Sequence, residues 1–396
     1  MLSDKVRKNS MFLRRLKIDL SHGQSCFLWG ARQTGKSSYL RAQYSNSIYF
    51  DLLESDIFLS LLKTPSLLRE ELIQKSQNSV QDPIIIDEIQ KVPLLLDEVH
   101  WLIENKKLQF ILCGSSARKL KRGHANLLGG RAWRYEMYPL VSSEIPDFNL
   151  LQALNRGLLP RHYQEDYFKK SLKAYVNDYL TEEIRAEGLT RNLPAFSKFL
   201  DAVAYSNGEL VVYNNISSDC GVDSKTVKEY FEILVDTHLG YFLPPLLKKK
   251  GRKTITATPK FYLFDVGVAN LISKTIVEEL RGTSAGRSFE HFIFMELMAY
   301  RSYSEKDFEL NFWRTKTGLE VDFIINEDLI YIESKISDYV KTTDLKGLRA
   351  LIEEKKPKRA IVVCNEKRPR RLSGTHIEIL PWKDFLNELW SNQLIK

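Results

Sequence analysis

The stretch Ser25-Cys26-Phe27-Leu28-Trp29-Gly30-Ala31-Arg32-Gln33-Thr34-Gly35-Lys36-Ser37-Ser38 decides the reading of this chain. Its first five residues are an apolar run of strand length. Gly30 to Ser37 then fit G-x-x-x-x-G-K-[ST] at every fixed position. Glycine lets the backbone turn tightly enough for its N–H groups to face phosphate oxygens. Lys36 reaches the β- and γ-phosphates, and the Ser37 hydroxyl is a ligand for Mg²⁺. Ser38 to Ala42 continue as a helix whose amino-terminal dipole favours an anion. The candidate nucleotide cradle is thus Gly30, Ala31, Arg32, Gln33, Thr34, Gly35, Lys36, Ser37 and Ser38.

The neighbouring segments agree with that cradle. Pro83-Ile84-Ile85-Ile86-Asp87-Glu88 is an apolar run ending in two carboxylates. On a buried parallel strand, Asp87 falls at the carboxyl end beside Ser37 and Mg²⁺, and Glu88 next to it polarises the attacking water. Ser47 to Asp51 and Gln109 to Gly114 read as further strands, and Leu94 to Ile103 carries apolar residues at helical spacing. Strands alternating with helices imply a parallel sheet covered on both faces. Ser115 directly follows the fourth strand, where a hydroxyl contacts the γ-phosphate or the attacking water. Ser116 as a helix cap explains the same stretch. Arg131 follows Gly129-Gly130 on what reads as a mobile loop. It is the candidate for the arginine that stabilises phosphate charge from a neighbouring subunit, with a solvated surface charge as the alternative.

Composition bounds the remainder. A chain of 396 residues with 43% hydrophobic and 27% charged residues is a globular protein of two or three domains. The formal charge of +8 and pI near 9.0 suit an anionic partner. Four scattered cysteines (Cys26, Cys113, Cys220 and Cys364) lack metal or redox spacing and point to a reduced compartment. Met1-Leu2-Ser3-Asp4-Lys5 opens no apolar signal region, and no window approaches the ~18 apolar residues of a membrane span. The expected location is cytoplasmic, with no membrane partner.

The set Leu28 to Ser37, Ile85-Ile86-Asp87-Glu88-Ile89-Gln90, Gly114-Ser115-Ser116 and Gly129-Gly130-Arg131 resembles a prokaryotic group of AAA-superfamily P-loop ATPases with an uncharacterised conserved C-terminal region. The resemblance continues in Tyr262 to Ala269 and from Phe289-Glu290 onward. It implies an AAA-type fold, ATP and Mg²⁺ as cofactors, and a homo-oligomer.

Residues 151 to 280 read as mostly helical. Val222 to Leu234 places Val227, Tyr230, Phe231 and Leu234 on one apolar stripe, with Asp223 as cap. With Asn215 to Cys220 upstream it resembles a helix-turn-helix, Lys225 and Lys228 lying on the exposed face. Lys248 to Lys253 between two apolar flanks would be a wing tip, with Lys249 and Arg252 facing nucleic-acid phosphates. A lid or subunit-contact role accounts for the same module.

The last segment, from about Gly282, carries a second constellation. Glu290 lies on an amphipathic helix. Glu320 to Ile325 and Leu329 to Lys335 read as two strands joined through Asn326-Glu327-Asp328. Glu333 and Lys335 share one strand face, and Asp322 lies on the adjoining strand at the same level. Two carboxylates then hold one or two Mg²⁺ while the lysine orients water. This resembles the PD-(D/E)xK nuclease core, with Glu290 as an additional metal ligand; Val321 stands where the family's proline would be. An edge ribbon decorated with charges, or the same fold without activity, is the alternative.

The expectation is an α/β protein in three parts. These are an AAA-type ATPase domain at 1–150, a helical winged-helix-like module at 151–280 and a restriction-endonuclease-like mixed α/β domain at 281–396. Glu88, Lys36, Arg131, Ser115 and Lys335 are its candidate catalytic residues. Ser37, Asp87, Asp322, Glu333 and Glu290 are its candidate metal ligands. Three classes stay open: a DNA-associated ATPase whose C-terminal domain cleaves DNA, an ATP-dependent switch that binds proteins and keeps that domain as scaffold, and a DNA-binding regulator that uses nucleotide only as a ligand.

Overall fold

The computed structural model describes residues 12–76, 82–118, 120, 128–180, 192–246 and 258–395. The chain separates into two compact units. One comprises Arg14–Pro139 with Asp236–Leu239; the other comprises Met1–Leu13, Leu140–Val235 and Gly240–Lys396.

The first unit is built on strands β1 (Ser25–Trp29), β2 (Tyr49–Asp51), β3 (Ile84–Asp87), β4 (Phe110–Cys113) and β5 (Ala132–Glu136), hydrogen-bonded in the order β2-β3-β4-β1-β5. Every pairing is parallel. Ile84 to Ile86 and Phe110 to Leu112 have no exposed surface, as expected of strands covered on both faces. Val99 and Leu102 of the helix Leu95–Lys106 join Phe27, Ile86 and Leu112 in the core. Each such side chain contributes about 1.5–3 kcal/mol through burial. Parallel strands align their carboxyl ends, so the loops after β1, β3 and β4 converge on one edge of the sheet.

One expectation is corrected here. Residues after Gly130 do not form a mobile loop: Leu128–Gly130 is a single tight turn, and Ala132 already opens β5. The pairing Ser25↔Ala132 puts Arg131 at the strand-entry edge, opposite the loop that follows Trp29.

The second unit begins with a helical region. Helices Leu193–Tyr205, Tyr213–Cys220 and Ser224–Asp236 precede an antiparallel ribbon of β6 (Gly240–Leu243) and β7 (Lys260–Leu263). Asp223 accepts hydrogen bonds from the Thr226 amide and hydroxyl at 2.9 Å, which starts the third helix. Val227, Tyr230, Phe231 and Leu234 are buried as its periodicity requires. The wing-tip residues Lys249 and Arg252 lie outside the described residues.

Its C-terminal half is a six-stranded mixed sheet in the order β12-β13-β11-β10-β9-β8. The strands are β8 (Leu310–Arg314), β9 (Glu320–Ile325), β10 (Ile330–Lys335), β11 (Arg359–Cys364), β12 (Arg370–Arg371) and β13 (Ile377–Pro381). β9 and β10 are antiparallel, joined by the helical turn Asn326–Leu329 rather than a hairpin turn, and β10 runs parallel to β11. The helix Gly282–Tyr303 packs against β10 and carries Glu290.

The Asp265 to Ala269 stretch is architectural. Asp265 caps the helix Val266–Ile272 through the Val268 amide at 3.0 Å and also accepts from the Leu158 amide at 2.6 Å. A Cβ at Gly267 would collide with the backbone of Gly157, so only glycine allows this approach. All four cysteines are buried and free; burial pushes the Cys26 thiol up to about 12. Among the described residues, no helix is long and apolar enough to cross a membrane.

Candidate functional site

Two clusters of functional side chains are present, one in each unit. In the first, Gly30 takes φ 149° and packs so closely on Met137 that a side chain would strike its carbonyl oxygen. Gln33 and Gly35 also have positive φ, which curls the loop. The helix Lys36–Gln43 starts at Gly35 with no side-chain cap, leaving its first N–H groups to the phosphate side. The buried Lys36 ammonium donates to the carbonyls of Gly30 at 2.7 Å and Ala31 at 3.0 Å, and Thr34 Oγ1 bonds Ala31 O at 2.8 Å. Arg14 fastens the loop from outside. Its guanidinium donates to Thr34 O at 2.5 Å and Tyr138 O at 2.6 Å. Nothing in the local pattern around Arg14 signals that role, because its acceptors are backbone atoms distant in sequence.

Asp87 ends β3 and accepts from the Ser37 hydroxyl and from Tyr49 Oη at 2.6 Å. Burial pushes its carboxyl up, but bonds from Ser37, Tyr49 and Cys113 and the Lys36 charge outweigh it and hold the group below its usual range. Glu88, in the left-handed region at φ 57°, turns off the strand end and accepts from Gln90 Nε2 at 2.5 Å. The same Gln90 nitrogen lies 3.1 Å from Ser115 Oγ, so Glu88, Gln90 and Ser115 form one buried chain. Gln90 was not singled out by sequence; its place two residues after the acid pair is the signal. A Cβ at Gly114 would collide with the Gln90 side chain and the Trp29 ring, which explains the glycine before Ser115. Ser116 Oγ accepts from the Arg118 amide, so capping and the Ser115 contact fall on neighbouring residues. Arg131 is ion-paired with Glu104 at the opposite sheet edge and takes no part in this cluster.

The second cluster gathers on the helix Gly282–Tyr303 and strands β7, β9 and β10. Asp322 Oδ2 accepts from the amide and the hydroxyl of Ser334, both at 2.7 Å. Lys335 Nζ sits 2.7 Å from Glu333 Oε1, while Glu333 Oε2 is buried without a hydrogen-bond partner. Glu290 Oε1 accepts from Tyr262 Oη at 2.6 Å and from the buried Lys260 ammonium at 2.8 Å. Lys260 also meets Glu320 at 2.5 Å, whose other oxygen pairs with Arg314 at 3.0 Å.

The closest trio of possible metal ligands among the described residues is Glu290, Glu320 and Asp322, within 4.8 Å of one another. Glu320 takes the place in that trio expected of Glu333, because Lys335 on the same strand face draws one Glu333 oxygen to itself. Burial, then the Asp322 carboxylate, pushes Glu333 up to about 8. Burial and Glu290 likewise raise Asp322, against the pull of Lys335 and Lys260. Lys260 stays charged: Glu290, Tyr262 and Glu320 together outweigh its burial. An orphaned carboxylate oxygen among raised carboxyls suits a hard divalent cation, which would supply the missing positive partner. The pair Glu320-x-Asp322 was legible as a shared strand face, but Lys260 arrives from a distant strand with no sequence signal.

On the helix Ser224–Asp236, Lys225 and Lys228 are exposed.

A parallel five-stranded sheet with a phosphate loop after β1 and an acid pair after β3 defines a P-loop nucleotide-hydrolysing ATPase. Residues 22–146 match the family model described as AAA domain, which supports an ATPase of the AAA superfamily. Residues 147–278 match a model described as Domain of unknown function (DUF8612), and residues 285–385 one described as Domain of unknown function (DUF4143). Comparison with curated proteins found no match.

Proposed function

We propose that this chain is a Mg²⁺-dependent AAA-type ATPase whose nucleotide state controls a metal-dependent, nucleic-acid-cleaving C-terminal site. On this reading the chain has three functional parts, at 1–150, 151–280 and 281–396. Gly30 to Ser38 bind ATP, Ser37 and Asp87 hold Mg²⁺, and Glu88 orients the attacking water while Ser115 and Gln90 hold Glu88. A second copy of the chain supplies Arg131 to the phosphates, releasing it from Glu104. In the C-terminal site, Asp322 and Glu333 hold the ion, Glu290 supports it and Lys335 orients the water that attacks a phosphodiester. Lys225, Lys228, Lys249 and Arg252 contact the DNA backbone.

One observation carries the cleavage reading: the partnerless buried oxygen of Glu333 beside Asp322 and Lys335. Support for coupling comes from residues 236–239. Asp236 ends the helix that bears Lys225 and Lys228, and residues 236–239 belong to the ATPase unit, with Arg118–Asp236 at 3.1 Å and His238–Glu136 at 2.7 Å.

A second reading is an ATP-dependent regulatory switch acting on proteins, with an inactive nuclease-like scaffold. Lys260 favours it, since lysines already neutralise much of the acid cluster. Incubation with supercoiled plasmid and Mg²⁺ or Mn²⁺, with and without ATP, separates the two. Cleavage that disappears in Asp322→Ala and changes in Lys36→Ala is the expected result. No nicking by any form with either metal would overturn the cleavage reading and leave the switch.

A further inference from the structure

We propose that Lys260 is a tethered cation filling the position of a second divalent ion between Glu290 and Glu320, which leaves the cluster a single exchangeable ion site at Asp322 and Glu333. The inference rests on reading this cluster as a metal site. Its independent ground is how Lys260 is held. Nζ lies 2.8 Å from Glu290 Oε1 and 2.5 Å from Glu320 Oε1, bridging two carboxylates as a metal ion bridges them. The side chain is only 3% exposed, and its backbone is pinned by the pairing Leu243↔Lys260 and the bridge Leu210↔Lys260. The ammonium also lies 5.5 Å from the centre of the Phe312 ring. Among the described residues it is therefore largely shielded from solvent, unlike a surface lysine that yields to a competing ion.

Charge points the same way. The four carboxylates Glu290, Glu320, Asp322 and Glu333 face Lys260, Lys335 and Arg314. One negative charge remains, so a single divalent ion takes the pocket slightly positive and a second would leave it strongly so. Paired-metal hydrolytic sites set their ions about 3.5–4 Å apart. Here one member of such a pair would be the ammonium. Lys335 then keeps its place beside the exchangeable ion, and Lys260 serves Glu290 as a positioning residue.

The test counts Mn²⁺ bound to the nucleotide-free full chain from the loss of the free-ion paramagnetic resonance signal. Ions retained by Asp322→Asn belong elsewhere and are subtracted. Wild type should hold one ion in the cluster, Lys260→Met two, and Lys260→Arg one. Lys260→Gln, equally neutral but polar, should also hold two, and this variant decides the matter if Lys260→Met does not fold by circular dichroism. Two ions in wild type would overturn the inference. So would a folded Lys260→Met or Lys260→Gln that binds no additional ion. If wild type holds none and Lys260→Met holds one, the tethered cation stands and the native metal reading falls. If neither holds any, both fall.

Discussion

The two clusters solve opposite problems with opposite materials. The phosphate loop is one continuous segment that meets an anion with peptide N–H groups, a helix end and one lysine. The C-terminal cluster gathers carboxylates and lysines from separate elements, including β7, the helix Gly282–Tyr303, β9 and β10. In the first, the backbone path is the chemistry, so glycines and a clamp such as Arg14 matter as much as the lysine. In the second, side-chain charge is the chemistry, and neighbouring lysines set how much charge remains for a ligand. The first should be hypersensitive to a single added methyl and the second to a single neutralised acid.

The largest effects should come from breaking one site while sparing the other. Lys36→Ala should lower ATP turnover at least ~100-fold, because the interaction lost is with developing phosphate charge. Its Mn²⁺ count in the C-terminal cluster should equal that of wild type. Asp322→Asn should show the reverse: unchanged ATP turnover and loss of the cluster's ion. Should either variant damage both readouts equally, the contrast between the sites would fail. Next in size, Glu88→Gln should bind ATP normally, seen by fluorescent-nucleotide titration, while turnover drops ~100-fold.

A smaller effect tests the electrostatics of the second cluster. Glu333 titrates near 8 instead of its ordinary 4.5, so the folded, metal-free protein prefers it protonated. That preference adds stability below about pH 4.5 and is lost as pH rises through about 8. Glu333→Gln, a permanent neutral mimic, should therefore raise metal-free stability by about 1–3 kcal/mol at pH 7–8 in denaturant melts. The gain should shrink toward pH 5, and the variant should lose the cluster's ion. For wild type, Mn²⁺ affinity should rise from pH 6 to 8 with about one proton released per ion, measurable by calorimetry in two buffers. A pH-independent affinity, or a destabilised Glu333→Gln, would mean that Glu333 is already ionised and satisfied.

How far sequence reached follows the same division. Gly30 to Ser37 and Ile84 to Glu88 were legible because each function sits in contiguous residues with a fixed spacing. The strand pair bearing Asp322, Glu333 and Lys335 was legible because side chains alternate on a strand. β5 was missed: the Gly129-Gly130 pair suggested a loop, while Ala132 to Glu136 gains its strand from pairing with β1 rather than from its own pattern. Lys260 and Arg14 were invisible for a common reason. Each owes its role to atoms far along the chain, Glu320 and Glu290 in one case and the Tyr138 carbonyl in the other. Tyr262 to Ala269 was read as part of a family resemblance, and within it Asp265 and Gly267 shape a helix start.

The smallest predicted effect is also the most specific to the backbone account of the phosphate loop. Arg14 ties Thr34 O to Tyr138 O and Pro139 O. If the loop's curvature were fixed by its own glycines alone, Arg14→Ala would change nothing at the nucleotide. If the clamp holds the curvature, the free loop samples other paths and each binding event must order it, at a conformational cost shared between binding and reaction. The expected result is a 3–10-fold rise in the KM for ATP, about 1 kcal/mol, with kcat nearly unchanged. Arg14→Lys should recover little, since a point donor cannot bridge three carbonyls as a planar fork does. A fall in kcat at constant KM would instead place the defect at Glu88 and Ser115, and the loop would be shown to hold its shape unaided.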